Sequence, residues 1–334
     1  MRERIGAMPE SAFDAAPGPH LPAWRRWGGR IGTLLLGGVL LVAAWAKTID
    51  PAAFAEQIGN LGLDRPLGAW PMALLVIALE VGLGLALVLD LRRPIVLVPA
   101  SLLVGLFLAL TGWEWWRAAH GMVDPTAGCG CFGNLVERTP KQAFLQDLAL
   151  LLLPLALAWL GVRRSVSRQG LRMAASTVAA VAAAGFAATA PELPLDDLAT
   201  RLKPGIETAS LCAGAEGSDE RACLTDIVPE LAQGRHWVIL TGLETPGFVD
   251  SIERLNRHVL RDTAADLWVV SPASTDAVQA FLWDWGPAFE VRQAPPALLR
   301  SLYRRLPRSF EVRDGRVTAT FDGLPAALAD ETGN

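Results

Sequence analysis

Two pairs of cysteines stand at spacings that could support thiol chemistry. The first pair lies in the segment Gly128-Cys129-Gly130-Cys131-Phe132-Gly133-Asn134. A disulfide within Cys-x-Cys closes only a small, strained ring, and strain makes a disulfide easier to reduce. The neighbouring glycines let the backbone turn and leave the sulfur atoms accessible. The pattern favours a redox pair. The alternatives are a structural or unpaired thiol pair and a metal site, although two thiolates with only His120 nearby make a poor metal site.

The second pair, Cys212 and Cys223, encloses a loop that contains Gly, Ala and Asp residues. In an oxidising compartment, two cysteines at this spacing are expected to form a structural disulfide. Closing a loop of this size stabilises the folded state by about 3 kcal/mol in the chain-entropy model. The alternative is a mobile dithiol arm that exchanges electrons with Cys129 and Cys131.

Three charged residues, Lys47, Glu80 and Asp147, lie in or beside apolar segments. Glu80 falls near the middle of such a segment, where a carboxylate is costly unless it is paired or hydrated. Lys47 stands at the end of another, and we expect its ammonium group to snorkel to the membrane interface. The three could instead surround a wet pocket that tunes thiol pKa values or moves protons. Hydrogen bonding between helices is the alternative role for Glu80.

The elements that position these residues are predicted to be membrane spans. Of the 334 residues, 51% are hydrophobic and 19% are charged, and the apolar residues concentrate between Ile31 and Ala190. A helix needs about 20 apolar residues to cross a bilayer, because lipid cannot satisfy exposed backbone groups. Five segments meet this requirement, at about 29–46, 71–91, 95–113, 144–162 and 171–190.

The distribution of arginines predicts the orientation of these spans. Three clusters fall on one side if all five spans exist: Arg25, Arg26 and Arg30; Arg92 and Arg93; and Arg163, Arg164, Arg168 and Arg172. Basic residues mark the cytoplasmic side. We therefore expect a cytoplasmic N-terminus in a bacterial inner membrane, with the cysteine loop and the C-terminal region in the periplasm. Ala44-Trp45-Ala46 also resembles a signal peptidase site, so cleavage after the first span stays open.

Four short motifs resemble the methylamine-utilisation MauE family, a branch of the DoxX-like membrane proteins. They are Ala44-Trp45-Ala46-Lys47, Asp50-Pro51-Ala52-Ala53-Phe54, Leu79-Glu80-Val81-Gly82-Leu83 and Cys129-Gly130-Cys131-Phe132-Gly133. The resemblance covers about half of the chain. It implies a four-helix membrane domain with a role in periplasmic thiol-disulfide exchange. Methylamine dehydrogenase is the client after which the family is named.

The region after about residue 205 alternates the patterns of strands and helices. Short apolar runs predict strands at 236–241, 267–270, 289–291, 308–312 and 316–321, and helical spacing predicts helices at 246–261, 275–285 and 296–304. Asp314-Gly315 between the last two strands is a strong signal for a type I′ hairpin.

This order of elements resembles a thioredoxin-like domain, and Leu306–Val317 resembles the part of that fold with its cis-proline and final hairpin. Pro307 would be the cis-proline. A redox-active thioredoxin has Cys-x-x-Cys between its first strand and first helix, but this chain has Glu244-Thr245-Pro246-Gly247 there. Without a sulfur atom this position cannot exchange disulfides. The groove formed by Pro307, Thr245 and Pro246 could still bind a partner.

The sequence thus predicts a membrane all-α four-helix bundle with a fifth transmembrane helix, followed by a soluble α/β thioredoxin-like domain. The expected domains are a disordered cytoplasmic tail (1–28), the bundle (29–165), the fifth helix with its connector (166–204) and the periplasmic domain (205–334). The expected function is periplasmic thiol-disulfide exchange or maturation of a periplasmic protein by Cys129 and Cys131, supported by Glu80 and Lys47. The alternatives are a non-catalytic membrane-anchored assembly factor and a small-molecule carrier.

The partners expected from this reading are a periplasmic client or redox partner and the lipid bilayer. The net charge of −4 gives no reason to expect a nucleic-acid partner. We expect no metal and no cofactor, because the sequence has neither a metal-ligand cluster nor a Gly-rich phosphate loop. It also has no identifiable hydrolase triad.

Overall fold

The computed structural model describes residues 22–122, 139–162, 168–214, 221–261, 265–325 and 328. Cys129 and Cys131 lie outside the described residues, as does the predicted tail up to residue 21. Residues 23–28, predicted as part of that tail, are instead the first turns of a helix.

Five helical segments are long and apolar enough to span a membrane. They and the short helix α2 have these bounds: α1 Ala23–Ile49, α2 Pro51–Asn60, α3 Ala69–Val88, α4 Pro94–Ala119, α5 Pro140–Asp147 continued by π-helical Leu148–Leu152 and α6 Leu153–Leu160, and α7 Gln169–Thr189. The five predicted spans are therefore present, with ends that differ by up to six residues. The chain is a multi-pass membrane protein.

Local capping explains why α2 begins immediately after α1. The Asp50 side chain accepts a hydrogen bond from the backbone N–H of Ala53, at 3.2 Å, and Pro51 occupies the first helical position. Both features stabilise a helix start. The chain therefore turns sharply at Asp50 and brings α2 back over the end of the bundle, beside α3.

Small residues allow α1 to pack closely against its neighbours. A Cβ atom at Gly37 would lie 2.6 Å from the carbonyl oxygen of Gly84 on α3. One at Gly32 would lie 2.5 Å from the carbonyl oxygen of Pro154 on α6. Membrane helices use such residues because close backbone approach replaces the hydrophobic driving force available in water. This packing places the C-terminal half of α1 along α3.

A connector leads from α7 to the main sheet. It contains α8 (Asp196–Ala199), the two-stranded β1 (Cys212–Ala213) and β2 (Ala222–Cys223), and α9 (Leu224–Ile227). The connector packs on one face of the C-terminal domain, where Leu202, Leu211 and Leu224 join a buried apolar cluster.

The C-terminal domain contains a five-stranded sheet in the order β5-β4-β3-β6-β7. Its elements are β3 Arg235–Leu240, α10 Pro246–Val249, α11 Ile252–Arg261, β4 Asp266–Ser271, α12 Thr275–Trp285, β5 Glu290–Gln293, α13 Pro296–Arg300, β6 Arg308–Arg313 and β7 Arg316–Asp322. β3, β4 and β5 are parallel, whereas β6 and β7 pair antiparallel. The helix predicted at 246–261 is two helices, and the one predicted at 296–304 ends at Arg300.

This topology is thioredoxin-like, and the predicted fold class is confirmed. A parallel β-α-β unit is followed by an antiparallel hairpin, and apolar clusters cover both faces of the sheet. The Leu306–Pro307 peptide bond is cis, directly before β6. Asp314 and Gly315 have positive φ values of 47° and 77°, as a type I′ turn requires.

Candidate functional site

Lys47 and Glu80 form an ion pair inside the bundle. The Lys47 Nζ atom lies 2.5 Å from Glu80 Oε1. The two side chains are 2% and 0% exposed. The ammonium group also lies 5.1 Å from the ring centroids of Phe54 on α2 and Phe107 on α4. Elements from across the bundle therefore converge on one buried cation.

The snorkelling predicted for Lys47 is wrong, and helix geometry gives the reason. Side chains on an α-helix point towards its N-terminus. Lys47 lies near the C-terminal end of α1, so its long side chain is directed back into the bundle rather than out to the interface. There it meets Glu80, whose position on α3 is set by the close packing of α1 and α3.

The pair leaves one polar atom unsatisfied. Among the described residues, Glu80 Oε2 is buried and has no hydrogen-bond partner. Burying ions is expensive, and breaking a buried pair costs about 3–5 kcal/mol because a charge remains without compensation. Ionisable residues inside a membrane domain mark functional sites by default. Glu80, which the sequence indicated as a candidate site residue, is therefore one member of a buried ion pair with Lys47.

A cavity of about 240 Å³ opens beside Lys47. Its walls are mainly apolar side chains from α2, α3, α4 and the α2–α3 connection, among them Ile58, Leu63, Met72, Val76, Leu106 and Leu110. Its polar groups are those of Lys47, Gln57, Arg65, Thr111 and Glu114. A smaller cavity of about 20 Å³ is lined by Lys47 and Asp147 together with apolar side chains. Asp147 thus borders the same lysine, as the sequence suggested.

The connection that contains Cys129 and Cys131 begins and ends at this same end of the bundle. Glu114 near the end of α4 lines the larger cavity with Lys47. Trp115 on α4 packs against Phe144 on α5, with ring centroids 5.4 Å apart. The ends of α4 and α5 therefore meet close to the ion pair.

Arg304 joins the C-terminal domain to the ends of two spans. Its Nη2 atom donates to the carbonyl oxygens of Ile49 and Ala190, both at 2.9 Å. Its Nη1 atom donates to the carbonyl oxygen of Leu193 and lies 3.5 Å from Asp196 Oδ2. Helix C-termini present unsatisfied carbonyls and negative partial charge, which a guanidinium group satisfies well. One side chain therefore fastens the domain to α1 and to the segment after α7.

Arg308 strengthens this junction from the first residue of β6. The buried guanidinium lies 2.5 Å from Asp196 Oδ1 and 3.0 Å from Asp322 Oδ1. Partial burial raises the pKa of Asp322, and the nearby Asp196 carboxylate adds to the rise, while Arg308 opposes it. Charges from the connector and the sheet are thus arranged around one arginine.

The predicted partner groove lies at the edge of the sheet that faces this junction. Leu240 at the end of β3 pairs with Arg308 at the start of β6. The segments that contain Thr245 and Pro246, and the cis-proline Pro307, therefore leave adjacent strands at the same edge. Pro246 is exposed, whereas Thr245 and Pro307 are partly buried. No cysteine stands here, as the sequence shows.

Cys212 and Cys223 are joined by a disulfide bond. They pair across the short β1–β2 ladder, and the Cys212 carbonyl oxygen accepts a hydrogen bond of 2.7 Å from Arg201. Cys212 is buried. The bond links the two ends of the loop as the sequence suggested, and its structural role stays a prediction.

Sequence reasoning missed the junction arginine and the aromatic groups around the lysine. Arg304 stands in an arginine-containing loop that resembles an ordinary solvated surface. Phe54 and Phe107 resemble ordinary lipid-facing or core residues. The signal that could have revealed Phe54 is its place in Asp50-Pro51-Ala52-Ala53-Phe54, one of the motifs of the family resemblance. Among the described residues, no group of three His, Cys, Asp or Glu side chains could hold a metal ion.

Comparison with known protein families finds a match to the membrane part of the chain. The family described as methylamine utilisation protein MauE matches residues 25–160. No curated protein matches the chain significantly.

Solved structures similar to this chain include a putative thiol:disulfide interchange protein DsbE from Chlorobium tepidum, with 16% identity, a TM-score of 0.30 and coverage of 38% of this chain and 89% of that one. A secreted Mycobacterium tuberculosis disulfide oxidoreductase homologous to E. coli DsbE has 15% identity, a TM-score of 0.26 and coverage of 30% and 84%. StoA from Bacillus subtilis has 16% identity, a TM-score of 0.28 and coverage of 38% and 96%. The assignment of the fold therefore rests on the strand order and the cis-proline of this chain and not on these TM-scores.

The family match covers the four spans, the Lys47–Glu80 pair and the motif with Cys129 and Cys131. Residues 25–160 thus match the methylamine utilisation protein MauE family, and a thioredoxin-like domain follows them in the same multi-pass membrane chain.

Proposed function

We propose that this protein exchanges thiols and disulfides with a periplasmic client through Cys129 and Cys131. The observation that carries the proposal is the buried Lys47–Glu80 pair at the end of the bundle from which the Cys-x-Cys connection leaves. A thioredoxin-like domain without cysteines at Glu244-Thr245-Pro246-Gly247 is fastened over that same end by Arg304. The thioredoxin-like domain is thus fastened to the end of the bundle from which the connection with Cys129 and Cys131 leaves.

In the proposed reaction, a client thiolate attacks the Cys129–Cys131 disulfide and forms a mixed disulfide. A second client thiolate resolves it, so that the client is oxidised and the Cys129/Cys131 pair is reduced. Lys47 favours a negative charge nearby, as cations beside a thiol do. Glu80 holds the lysine in place. The N-terminus is proposed to be cytoplasmic, in accordance with the arginine clusters, which puts the cysteines in an oxidising compartment of a bacterial inner membrane.

The C-terminal domain is proposed to recognise the client or redox partner. Pro307, Thr245 and Pro246 share the edge of the sheet where a thioredoxin would bind its substrates, but they supply no nucleophile. A periplasmic protein rich in disulfides, such as a methylamine dehydrogenase-type client, fits the family description. The C-terminal domain would then bind the client, and the membrane domain would carry out the thiol chemistry.

Thiol trapping in native membranes tests this function. Cells are quenched with acid, alkylated and analysed by mass spectrometry, in the wild type and in Cys129→Ser and Cys131→Ser single variants. We expect one single variant to accumulate a mixed disulfide with another protein. The Cys212→Ser/Cys223→Ser double variant is the matched control and should leave trapping unchanged. A Cys129/Cys131 pair that stays in one state under oxidant and reductant contradicts the proposal.

The absence of cysteines at Glu244-Thr245-Pro246-Gly247 favours one second candidate, a membrane-anchored assembly factor that holds its client without redox chemistry. In that case, client maturation persists in the Cys129→Ser/Cys131→Ser double variant. Replacement of the exposed Pro246 by a bulky residue would then abolish client binding.

A further inference from the structure

The cavity beside Lys47 has the composition of a binding site for a small lipid-soluble ring. Its volume of about 240 Å³ lies just below the range of about 300–1,000 Å³ for whole small-molecule sites. Its walls are mainly apolar and include a few polar groups, as in ligand pockets generally. Leu106 both lines the cavity and is exposed on the bundle surface, so the cavity has a side that faces lipid.

The polar groups select the chemistry of the occupant. The Lys47 ammonium group donates one hydrogen bond to Glu80 and retains donor capacity on the side that lines the cavity. The Lys47–Glu80 pair has no net charge, and Arg65 and Glu114 likewise bring one charge of each sign. An anionic ligand would therefore gain little, whereas a neutral molecule with a carbonyl acceptor would gain a charge-assisted hydrogen bond. The rings of Phe54 and Phe107 offer faces against which a flat molecule can pack.

We propose that this cavity binds the head group of a quinone, which accepts the electrons released when Cys129 and Cys131 are oxidised. The proposal rests on the function above and names its electron acceptor. The dithiol loses two S–H bonds and gains an S–S bond, which releases two electrons and two protons. The quinone takes up the two electrons and the two protons, and its two carbonyl oxygens become the hydroxyl groups of a quinol. Lys47 donates the hydrogen bond that orients one carbonyl oxygen.

The test measures binding of decylubiquinone to the full-length protein in lipid nanodiscs by isothermal titration calorimetry. Leu110→Trp fills the cavity from α4, and Val76→Trp fills it from α3. Leu102→Trp and Leu75→Trp are matched controls, because these leucines are 71% and 44% exposed on the same two helices and do not line the cavity. We expect at least tenfold weaker binding for both cavity-filling variants and unchanged binding for both controls.

Two variants at the ion pair test the contact with Lys47. Lys47→Met with Glu80→Gln removes the donor cation without leaving a buried charge, so that the fold is preserved. We expect this double variant to bind the quinone at least fivefold more weakly. Unchanged affinity would show that Lys47 does not contact the ligand, and equal affinity in cavity-filling variants and their controls would overturn the site itself.

Binding is measured also in the Cys129→Ser/Cys131→Ser variant, where we expect unchanged affinity, because the proposed contacts to the quinone come from Lys47, Phe54 and Phe107. This separates the two proposals. Quinone binding that fails while mixed disulfides still form overturns the acceptor and leaves the exchange function in place. Specific quinone binding without mixed disulfides overturns the exchange function alone.

Discussion

The two halves of this molecule divide what a thioredoxin combines. The C-terminal domain has the strand order and cis-proline of the redox fold, yet Glu244-Thr245-Pro246-Gly247 stands at the position of the active cysteines. The membrane part of the chain has the Cys-x-Cys motif but none of that fold. Because chemistry belongs to sites rather than folds, we expect the domain with the familiar architecture to be the less reactive half.

Each half also has a buried cation, Arg304 in the C-terminal domain and Lys47 in the membrane bundle, and the two differ in their partners. Arg304 donates from both terminal nitrogens to carbonyl and carboxylate oxygens, which makes it a clamp between helix ends and sheet. Lys47 has one carboxylate partner, borders a cavity and leaves Glu80 Oε2 unsatisfied among the described residues. Arg304 directs both terminal nitrogens to protein oxygens, although its buried Nε has no hydrogen-bond partner among the described residues, whereas Lys47 keeps donor capacity on the side of a cavity. Four predictions test this comparison.

The largest effect is expected at the ion pair. Lys47→Met leaves the Glu80 carboxyl group buried without a counter-ion, which should lower the free energy of unfolding by about 3–5 kcal/mol. Urea unfolding of the protein in detergent micelles measures the change. Adding Glu80→Gln should restore most of the loss, because no buried charge remains. A double variant as unstable as the single one would show that the lysine stabilises the bundle by packing alone.

The disulfide in the C-terminal half comes next. Cys212→Ser/Cys223→Ser should lower the free energy of unfolding of that domain by about 3 kcal/mol, because the unfolded chain loses its constraint. Tryptophan fluorescence during urea titration of the full chain measures the loss, and chemical reduction of the wild type should reproduce it. If the double variant instead blocks disulfide transfer to the client at full stability, the pair is an exchanging arm.

The clamp should contribute less. Arg304→Ala removes the hydrogen bonds that the guanidinium group donates. A hydrogen bond that involves a charged group contributes about 1.5–3 kcal/mol. We expect faster hydrogen exchange in α8 and around Ile49, since the domain is released from the span ends. Arg305→Ala is the matched control, because its side chain is exposed one residue away. Equal exchange in both variants would mean that the apolar packing of the connector holds the halves together.

The smallest effect concerns the Glu311 carboxylate on β6, whose arginine partners are exposed. Burial raises the pKa of Glu311, but hydrogen bonds from Arg235, Arg313 and Thr318 outweigh burial and lower the pKa below its usual range. A lowered folded-state pKa contributes stability that is present above the ordinary value of about 4.3 and is lost as the pH falls through the folded value. The contribution should stay below about 1 kcal/mol. Thermal unfolding is measured between about pH 6 and about pH 3. As the pH falls, the melting temperature should decrease less steeply for Glu311→Gln than for the wild type.

Most of the architecture was readable from local patterns. The apolar runs of about 20 residues predicted all five spans, because the bilayer demands that length of any helix that crosses it. The alternation of short strands and helices, with Asp314-Gly315 in the final hairpin, predicted the thioredoxin-like order. These features depend only on neighbours in the chain. The break between α10 and α11 was missed because the apolar spacing continues across it.

The site was readable only in part. Glu80 stood out because a carboxylate in an apolar run needs a partner. Its partner was misjudged, since a lysine near a span end can point either way, and only the packing of α1 on α3 decides which. The clamp formed by Arg304 on Ile49 and Ala190 was invisible, because it joins residues more than a hundred positions apart.

The sequence by itself determined the number of spans, the order of strands and the position of every cysteine, because these follow from length, periodicity and composition. Only the tertiary structure decided that Lys47 turns inward to Glu80, that a cavity opens beside it and that the C-terminal domain is fastened above. The physical reason is that the orientation of a long side chain and the space around it depend on which helices pack together, and helix packing in a membrane rests on close fit between distant segments.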